Sequence, residues 1–447
     1  MNGTVEMQAE KIIPKGYKLT EAGVIPEDWD VRKIGDIAEV IRGASPRPKG
    51  DKRFYGGNIP RLMVEDVTRD GKYVTPSVDS LTEAGAKLSR PCDKGTLTLV
   101  CSGTVGIPSI LAVNACIHDG FLGLTKVKKS VSIDYLYHFF TTQQEKFNNS
   151  ATHGGVFTNL TTDGVKEFLL ALPRNKNEQI AIANFLSDTD TFITELEQLI
   201  IKKQSIKTAT MQQLLTGRTR LTQFAQYPNG TIKNYKSSEL GLIPEDWEVA
   251  RLAQVAKVID PHPSHRAPPE ESYGVPFVGI GDLNESGELI NSEVRRVNQS
   301  ILQEHSERYT LHNQPIGLGR VASIGKVIRL RLGKEPYAIS PTLGVIDGFA
   351  CTNDFLFYYL KSESVTEQFS RVMSGSTRSS VGMNVLKEIL VVKISNEEQI
   401  SIAAILSDMD AELKALEQKL AKFRAIKQGM MQQLLTGRIR LPLEQQP

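Results

Sequence analysis

The sequence predicts an α+β protein in which one unit is written twice. Each unit is expected to be a globular domain of short strands and helices followed by a long helix. Three observations lead to this prediction. Two stretches of the chain repeat each other at nearly one offset, the end of each repeat has the apolar spacing of a coiled coil, and each middle carries short apolar runs separated by glycine, proline and asparagine.

The internal repeat is visible at both ends of the unit. Residues 17–31 (YKLTEAGVIPEDWDV) and 235–249 (YKSSELGLIPEDWEV) are identical at ten of 15 positions. Residues 178–218 and 398–438 both begin with Glu-Gln-Ile and end with MQQLLTGR, and they are identical at 23 of 41 positions. The offsets are 218 and 220 residues, so the chain is a tandem duplication of a unit of about 220 residues.

The end of each unit predicts a long helix. Apolar residues of the second copy follow one another at spacings that alternate between three and four, and Lys207 and Lys427 interrupt this stripe in the two copies. Gly217 and Gly437 are placed to cap the C-terminal ends. Each helix would have about 40 residues and a length on the order of 60 Å. We predict that the two helices pair as an antiparallel coiled coil with pseudo-twofold symmetry.

These signals divide the chain into six segments. We expect an N-terminal arm at 1–25, a first domain at 26–176, a long spacer helix at 177–221, a polar linker at 222–243, a second domain at 244–396, and a second spacer helix with a C-terminal tail at 397–447. The two middles diverge between their shared ends. The same frame is therefore expected to carry different surface chemistry in the two copies.

Composition excludes several classes of protein. The 53 Lys and Arg residues nearly balance the 51 Asp and Glu residues, so the formal charge of +2 argues against a uniformly basic protein that coats nucleic acid. Apolar stretches fall far short of the roughly 20 residues of a membrane span, and the N-terminus lacks the apolar core of a secretion signal. The four cysteines have no zinc-binding spacing. A cytoplasmic protein is expected.

The sequence lacks the familiar patterns of catalytic and metal sites. The nearest approach to a phosphate-binding loop ends at Lys326, but Arg320 stands where that loop needs glycine. His262 and His265 lack the further ligands of a metal site, and the acidic residues of 408–412 lie on the polar face of the predicted helix. The Asn- or Asp-Pro-Pro-aromatic tetrapeptide of adenine methylation does not occur. We therefore predict no enzymatic activity, no cofactor and no metal for this chain.

The two domains instead offer loops whose side chains suit phosphates and base edges. Residues 42–53 (RGASPRPKGDKR) hold five basic side chains and one aspartate, and residues 316–334 hold five basic side chains and no acid. Polar, glycine-bearing loops occur at 153–159 and 375–380. Solvated surface is the alternative for each loop alone, and recurrence at corresponding positions of the two copies favours binding.

The candidate DNA contacts are polar and basic residues of these loops. In the first domain they are Arg42, Ser45, Arg47, Lys49, Lys52, Arg53, Ser102, Thr104, His153, Thr158 and Asn159. In the second domain they are His262, Ser264, His265, Arg266, Arg320, Ser323, Lys326, Arg378 and Ser379.

Four motifs, each present twice, resemble recurrent sequences of the specificity subunits of type I restriction–modification systems. They are GxIPEDWxV, the glycine turn of residues 104–106 (TVG) and 323–325 (SIG), the helix start EQxxIAxxLSDxD and the helix end MQQLLTGRxRL. The resemblance spans nearly the entire chain. It departs in one respect, because no short tandem tetrapeptide repeat lies between the halves of the first helix.

The resemblance implies two target recognition domains separated by the long helices, each reading one half of a split DNA site through the major groove, and no catalysis by this chain. The implied partners are double-stranded DNA, two modification subunits that methylate adenine N6 from S-adenosylmethionine, and restriction subunits that use ATP to translocate and cleave DNA. Because the two middles differ in sequence, we expect an asymmetric site. A structural adaptor that does not bind DNA and a DNA-dependent enzyme with an unfamiliar site are the alternatives.

Overall fold

The structure is a computed structural model that describes residues 13–150, 160–262, 264, 266–290, 293–321, 323–333, 335–374 and 380–442. The chain forms two compact units. Unit 1 consists of residues 1–197 and 419–447, and unit 2 consists of residues 198–418. Each unit therefore combines the globular domain of one repeat with a segment from each long helix.

Short strands and helices make up the described part of unit 1. Its strands are β1 (Tyr17–Thr20), β2 (Gly23–Pro26), β3 (Trp29–Lys33), β4 (Glu39–Arg42), β5 (Tyr55–Leu62), β6 (Tyr73–Val74), β7 (Asp79–Leu81), β8 (Arg90–Cys92), β9 (Leu97–Val100), β10 (Pro108–Leu111), β11 (Ala115–Ile117), β12 (Phe121–Thr125) and β13 (Leu169–Pro173). Its helices are α1 (Ile34–Ile37), α2 (Val64–Asp70), α3 (Glu83–Leu88), α4 (Ile133–Ser150), α5 (Thr162–Lys166) and the first part of α6 (Lys176–Leu215).

The described part of unit 2 has a similar mixture, so the predicted α+β class is confirmed. Its strands are β14 (Tyr235–Ser238), β15 (Gly241–Pro244), β16 (Glu248–Arg251), β17 (Ala256–Ile259), β18 (Val275–Val278), β19 (Arg296–Val297), β20 (Ile316–Gly319), β21 (Val327–Arg329), β22 (Ala338–Ile339), β23 (Leu343–Gly348) and β24 (Leu390–Lys393). Its helices are α7 (Thr222–Ala225), α8 (Leu252–Val255), α9 (Gln299–Ser306), α10 (Asn353–Leu360), α11 (Glu363–Ser374), α12 (Met383–Glu388) and the first part of α13 (Asn396–Leu434).

In the main sheet of each unit, one strand has an antiparallel neighbour on either side. Unit 1 has the strand orders β4-β12-β9-β10-β6 and β7-β5-β11-β8, and unit 2 has β17-β23-β20-β21 and β19-β18-β22. In unit 1, β4 and β9 both run antiparallel to β12. In unit 2, β17 and β20 both run antiparallel to β23. The strands before two predicted loops of each unit therefore end at the same edge of the sheet.

The core of each unit includes the C-terminal end of a long helix. Met431 and Leu434 of α13 are buried with the apolar residues of β9 and α4 in unit 1. Leu214 and Leu215 of α6 are buried with those of β20 and α10 in unit 2. The helix that begins in one unit thus completes the core of the other, which the division of the sequence into repeats does not reveal.

The repeated motifs of unit 1 meet in a cluster that we call the clasp. The Arg440 guanidinium forms ion pairs with Glu178 at 2.7 Å and Asp28 at 2.9 Å. The Tyr17 hydroxyl donates a hydrogen bond to the Gly437 carbonyl at 3.0 Å. The aspartate comes from IPEDW, the glutamate from Glu-Gln-Ile, and the glycine and arginine from LTGRxR, so these repeated motifs serve a structural purpose.

The clasp of unit 2 uses the corresponding residues of the other copies of the motifs. Arg220 pairs with Glu398 at 2.7 Å and with Asp246 at 2.9 Å, and the Tyr235 hydroxyl donates to the Gly217 carbonyl at 2.8 Å. Each clasp thereby ties a domain to the C-terminal end of the helix from the other repeat.

The long helices run antiparallel in unit 1, as predicted. Asp190 of α6 pairs with Lys427 of α13, and Glu197 of α6 pairs with Arg424 of α13, so rising numbers in one helix meet falling numbers in the other. Lys427, which interrupts the apolar stripe, therefore has an acidic partner on the facing helix.

The helices of unit 2 pair in the same sense. Lys203 and Lys207 of α6 form ion pairs with Glu412 and Asp410 of α13. Lys207, which interrupts the apolar stripe, is therefore part of the pairing, and a polar residue in such a seam favours one register over its neighbours.

The arm and the linker of the predicted division contain regular structure. Strands β1 and β2 form a hairpin in the described part of the arm, and the linker at 222–243 contains α7, β14 and the start of β15. The β14–β15 hairpin repeats the β1–β2 hairpin and carries Tyr235 to its clasp, so the segment predicted as a linker contains ordered elements. None of the helices in the described part of the chain has the length and apolarity that crossing a membrane would need.

Candidate nucleic-acid interface

Three segments of unit 1 meet at the sheet edge where β4 and β9 end and β12 begins. The loops that follow β4 and β9 both contact the turn at residues 117–120. The Ala44 N–H donates to the Ile117 carbonyl at 3.1 Å, and the Cys101 N–H donates to the Gly120 carbonyl at 2.8 Å. Strand direction thus brings together predicted loops that are about 60 residues apart in the chain.

Asp119 lies at the centre of this edge. Ser45 Oγ donates to its Oδ1 at 2.6 Å, Arg42 Nε donates to its backbone carbonyl at 3.2 Å, and Arg47 Nη2 lies 3.8 Å from its Oδ2. The hydrogen bond from Ser45 lowers the pKa of Asp119, so the carboxylate is charged at neutral pH. The half-buried Ser102 lies against Gly120 of the same turn. The structure therefore gathers Arg42, Ser45, Arg47 and Ser102 around one turn.

A buried arginine anchors this cluster to the sheet. Arg61 of β5 is 4% exposed, forms an ion pair with Asp79, and donates to Ser45 Oγ at 2.6 Å. Because Ser45 also donates to Asp119, the exposed loop is connected to the interior of the domain by charge-assisted hydrogen bonds.

The other predicted residues that the structure describes in unit 1 are exposed. Lys49, Lys52 and Thr104 face solvent. Arg53 is exposed and directs Nε and Nη2 at the carboxylate of Asp51, at 2.7–3.2 Å. These side chains are accessible to the phosphates of a duplex.

The corresponding edge of unit 2 has a different chemistry. Ser264 and Arg266 follow β17 and are exposed, as are Ser323 and Lys326 after β20. The Lys326 ammonium donates to the Ile280 carbonyl at 3.1 Å, which fixes its position. This edge therefore presents hydroxyl groups and two cations.

The structure corrects the expectation that Arg320 contacts DNA. Its side chain is buried, and its guanidinium donates to the carbonyls of Val381 and Pro341 and to Asp260 at 3.1–3.3 Å. Cys101 occupies the corresponding place in unit 1 and is fully buried. Because the residue is only 9% exposed and both Nε and Nη1 donate to acceptors inside the fold, we infer a structural role for Arg320.

The structure also corrects the expectation that His262 contacts DNA. The side chain is buried, and its Nδ1 is hydrogen-bonded to Nε2 of His305 at 3.1 Å. The Tyr309 hydroxyl is hydrogen-bonded to Nδ1 of His305 at 3.1 Å. His262 Nε2 is hydrogen-bonded to the Arg266 carbonyl at 3.2 Å, so both ring nitrogens of the buried His262 have partners inside the fold.

The buried histidines predict a dependence of stability on pH. Burial and the neighbouring His262 lower the pKa of His305 to about 4, and burial lowers the pKa of His138 in unit 1 to about 3. A histidine in the unfolded chain has a pKa near 6.5, so below that pH it is protonated while the buried histidine of the folded chain stays neutral. The free energy of unfolding is therefore highest above pH 6.5 and falls as the pH drops toward 4. The loss approaches about 1.4 kcal/mol per pH unit for each group.

Urea titrations at pH 7 and pH 5 measure this effect. We expect His305→Gln to show a smaller loss at pH 5 than the parent chain. His312→Gln, at an exposed histidine, is the matched control and should retain the parent's loss. Equal losses in His305→Gln and the parent would contradict the assignment.

Several predicted contacts lie outside the described residues. They are His153, Thr158, Asn159, His265, Arg378 and Ser379. Their role in DNA binding stays a prediction.

Sequence reasoning missed Asp119 and Arg61. Neither residue belongs to the loops that charge and glycine content single out in the sequence. Their importance follows from contacts with Ser45, which is 74 residues from Asp119 and 16 residues from Arg61. Together the cluster offers guanidinium N–H donors, a hydroxyl and a carboxylate, which are the groups that recognise phosphates and base edges. Among the described residues, no group of three or more His, Cys, Asp and Glu side chains is arranged to hold a metal ion.

Comparison with known proteins supports this interpretation of the sequence. Residues 26–207 and 244–422 each match the family model described as type I restriction modification DNA specificity domain. Two relatives come from Methanocaldococcus jannaschii. The type I restriction enzyme MjaVIII specificity subunit is 25% identical over 433 residues, covering 93% of this chain and 94% of the relative. The MjaIX specificity subunit is 26% identical over 370 residues, covering 81% and 82%.

Solved structures of similar fold cover nearly the same length. The S subunit of a type I restriction–modification system from M. genitalium has a TM-score of 0.54 and 15% identity, covering 93% of this chain and 97% of that chain. The HsdS subunit from Thermoanaerobacter tengcongensis has a TM-score of 0.50 and 15% identity, covering 93% and 98%. At this identity the likeness concerns the fold.

Proposed function

The chain belongs to the type I restriction–modification DNA specificity family, and from this premise we propose that each unit reads one half of an asymmetric, two-part DNA site. The observation that carries the proposal is the contrast between clasps and loops. The clasps use the same residue types in both units, whereas the loops at the corresponding sheet edges differ. Two domains that share a fold but differ in their contact residues can recognise two different half-sites.

The two edges support different modes of contact. At the end of β4 and on the loop after it, unit 1 presents the exposed cations Arg42, Arg47, Lys49, Lys52 and Arg53. The described exposed residues of unit 2 include Ser264, Arg266, Ser323 and Lys326, which combine two cations with two hydroxyl groups. Cations contribute most to phosphate contacts, and arginine and serine also reach base edges. We therefore expect unequal half-sites.

We propose that the paired helices set the number of unread base pairs between the half-sites. Helices α6 and α13 have 40 and 39 residues, or on the order of 60 Å each at about 1.5 Å per residue. One turn of DNA advances roughly 34 Å. Helices of this length suit two half-sites whose centres are about one turn of DNA apart.

We propose that the helices also dock two modification subunits that methylate adenine N6, through which restriction subunits join the complex. Exposed isoleucines support this proposal because they occur at equivalent positions of the two repeats. Ile180 and Ile400 are 39% and 54% exposed, and Ile206 and Ile426 are 41% and 39% exposed. Equivalent apolar positions in both repeats suit two copies of one partner.

Methylation mapping tests the proposed function. The chain would be assembled with an adenine-modification partner, and the methylated adenines would be located on genomic DNA. We expect a two-part motif. Exchanging residues 244–396 for those of another family member should change one half of the motif and leave the other half intact, while exchanging 26–176 should do the converse.

Three outcomes would contradict the proposal. They are a complex that methylates no two-part motif, an exchange that alters both halves together, and methylation or cleavage of DNA by this chain alone. The mass of the assembled complex separately tests the expected two modification subunits.

A further inference from the structure

Two arginines on the loop at residues 42–53 differ in how much of the guanidinium is free. Arg53 donates from both Nε and Nη2 to Asp51, so one edge of its guanidinium is occupied. The Arg47 side chain is 76% exposed, and its Nη2 lies 3.8 Å from Oδ2 of Asp119. Arg47 therefore keeps an edge that can bind two acceptor atoms at once.

The carboxylate beside Arg47 is held by contacts that begin inside the domain. Asp79 pairs with the buried Arg61, Arg61 donates to Ser45 Oγ, and Ser45 donates to Oδ1 of Asp119. Each of the two hydrogen bonds is 2.6 Å long. The remaining oxygen, Oδ2, faces Arg47. A side chain anchored in this way can restrict a neighbour that would otherwise sample many rotamers.

We propose that Asp119 is a positioning residue for guanine recognition by unit 1. Its carboxylate orients the Arg47 guanidinium so that two N–H groups bind O6 and N7 of one guanine in the major groove, the geometry in which arginine reads that base. The inference rests on the proposed function that unit 1 reads one half-site, and it adds the base and the two residues that select it.

The two units differ in this respect. At the corresponding edge of unit 2, the arginine that pairs with an aspartate is Arg320, whose guanidinium is buried against Asp260. We therefore assign guanine recognition by an exposed arginine that an aspartate orients to unit 1 and its half-site.

The test uses the complex of this chain with its modification partner and oligonucleotides in which each base pair of the methylated site is changed in turn. Arg47→Ala is expected to lose discrimination at one G·C pair of the unit 1 half-site, on the order of ten-fold or more in relative affinity. Arg47→Lys should lose discrimination at the same pair, since an ammonium keeps the charge but not the fork.

The role of Asp119 is measured at that same pair. Asp119→Asn is expected to weaken the guanine preference by several-fold, and Asp119→Glu, which keeps the charge, should restore part of it. Asp51→Asn is the matched control, since it removes the aspartate of the other Arg–Asp pair on this loop. It should leave every base preference unchanged.

Several results would overturn the inference. They are a unit 1 half-site without guanine, an unchanged guanine preference in Arg47→Ala or Asp119→Asn, and a uniform loss of affinity over all sequences, which would mark a phosphate contact or a merely structural role. A failure of the proposed function is distinguishable. In that case the parent complex shows no two-part site, or exchanging residues 26–176 alters neither half.

Discussion

Replacing Arg220 by alanine is expected to destabilise the chain by about 3–5 kcal/mol, since the change leaves a buried carboxylate without its partner. The Arg220 side chain is 5% exposed and that of Glu398 is 3% exposed. Glu398 would keep the hydrogen bond from Trp247 Nε1, at 3.1 Å, but no cation. The variant would also lose the ion pair with Asp246 and the contact of the guanidinium with the Trp247 ring, whose centroid lies 5.7 Å away.

Urea-induced unfolding of the full chain measures this effect. Arg440→Ala is expected to cost less, because the Arg440 side chain is 40% exposed and water can partly replace it, although Glu178 is 2% exposed. Arg251→Ala is the matched surface control. Arg251 and Glu388 form an ion pair in which both side chains are about 60% exposed, so the cost should stay within about 1 kcal/mol. Equal costs for Arg220→Ala and Arg251→Ala would show that the clasp does not depend on its arginine.

Gly437→Ala is expected to destabilise the chain by about 2–4 kcal/mol. Gly437 has a φ of +69°, a region that costs a residue with a Cβ roughly 1–2 kcal/mol. A Cβ at this position would also lie 2.5 Å from Cδ of Pro26, and relieving such an overlap costs about 1–3 kcal/mol. Gly217 has a φ of +70° and the same approach to Pro244, so both predicted C-terminal caps are confirmed.

Gly429→Ala provides the opposite expectation within α13. A Cβ at Gly429 would meet nothing within 4 Å, and alanine in an exposed helix interior is favoured over glycine by about 0.5–1 kcal/mol. Urea midpoints should therefore move down for Gly437→Ala and up for Gly429→Ala. A common direction of change would contradict the assigned role of Gly437.

The parts of the fold that were predicted correctly depend on local or periodic signals. The spacing of apolar residues predicted α6 and α13, and the ion pair of Lys427 with Asp190 explains why the stripe is interrupted. The repeated motifs were recognised without a known purpose, because Asp28 and Arg440 are 412 residues apart and become partners only when the chain folds. The same distance in sequence concealed that each unit uses the helix end of the other repeat.

The candidate interface was predicted less completely. The exposed loop that carries Arg42 and Arg47 was predicted from its charge, and the strand directions place it beside Ser102. Charge and polarity alone could not distinguish Arg47, which is exposed, from Arg320, which is buried. They also assigned no role to Asp119, since an isolated aspartate becomes informative only when its neighbours in space are known.

The sequence by itself determined the duplication, the α+β class, the long helices and the resemblance to a DNA specificity family. Each of these follows from residues that are adjacent in the chain, periodically spaced or repeated. Only the tertiary structure decided which polar residues stay at the surface, how the clasps join distant motifs, and that Asp119 faces Arg47. Those outcomes depend on burial and on contacts between residues far apart in the chain, and a guanidinium that is buried among internal acceptors is shielded from DNA.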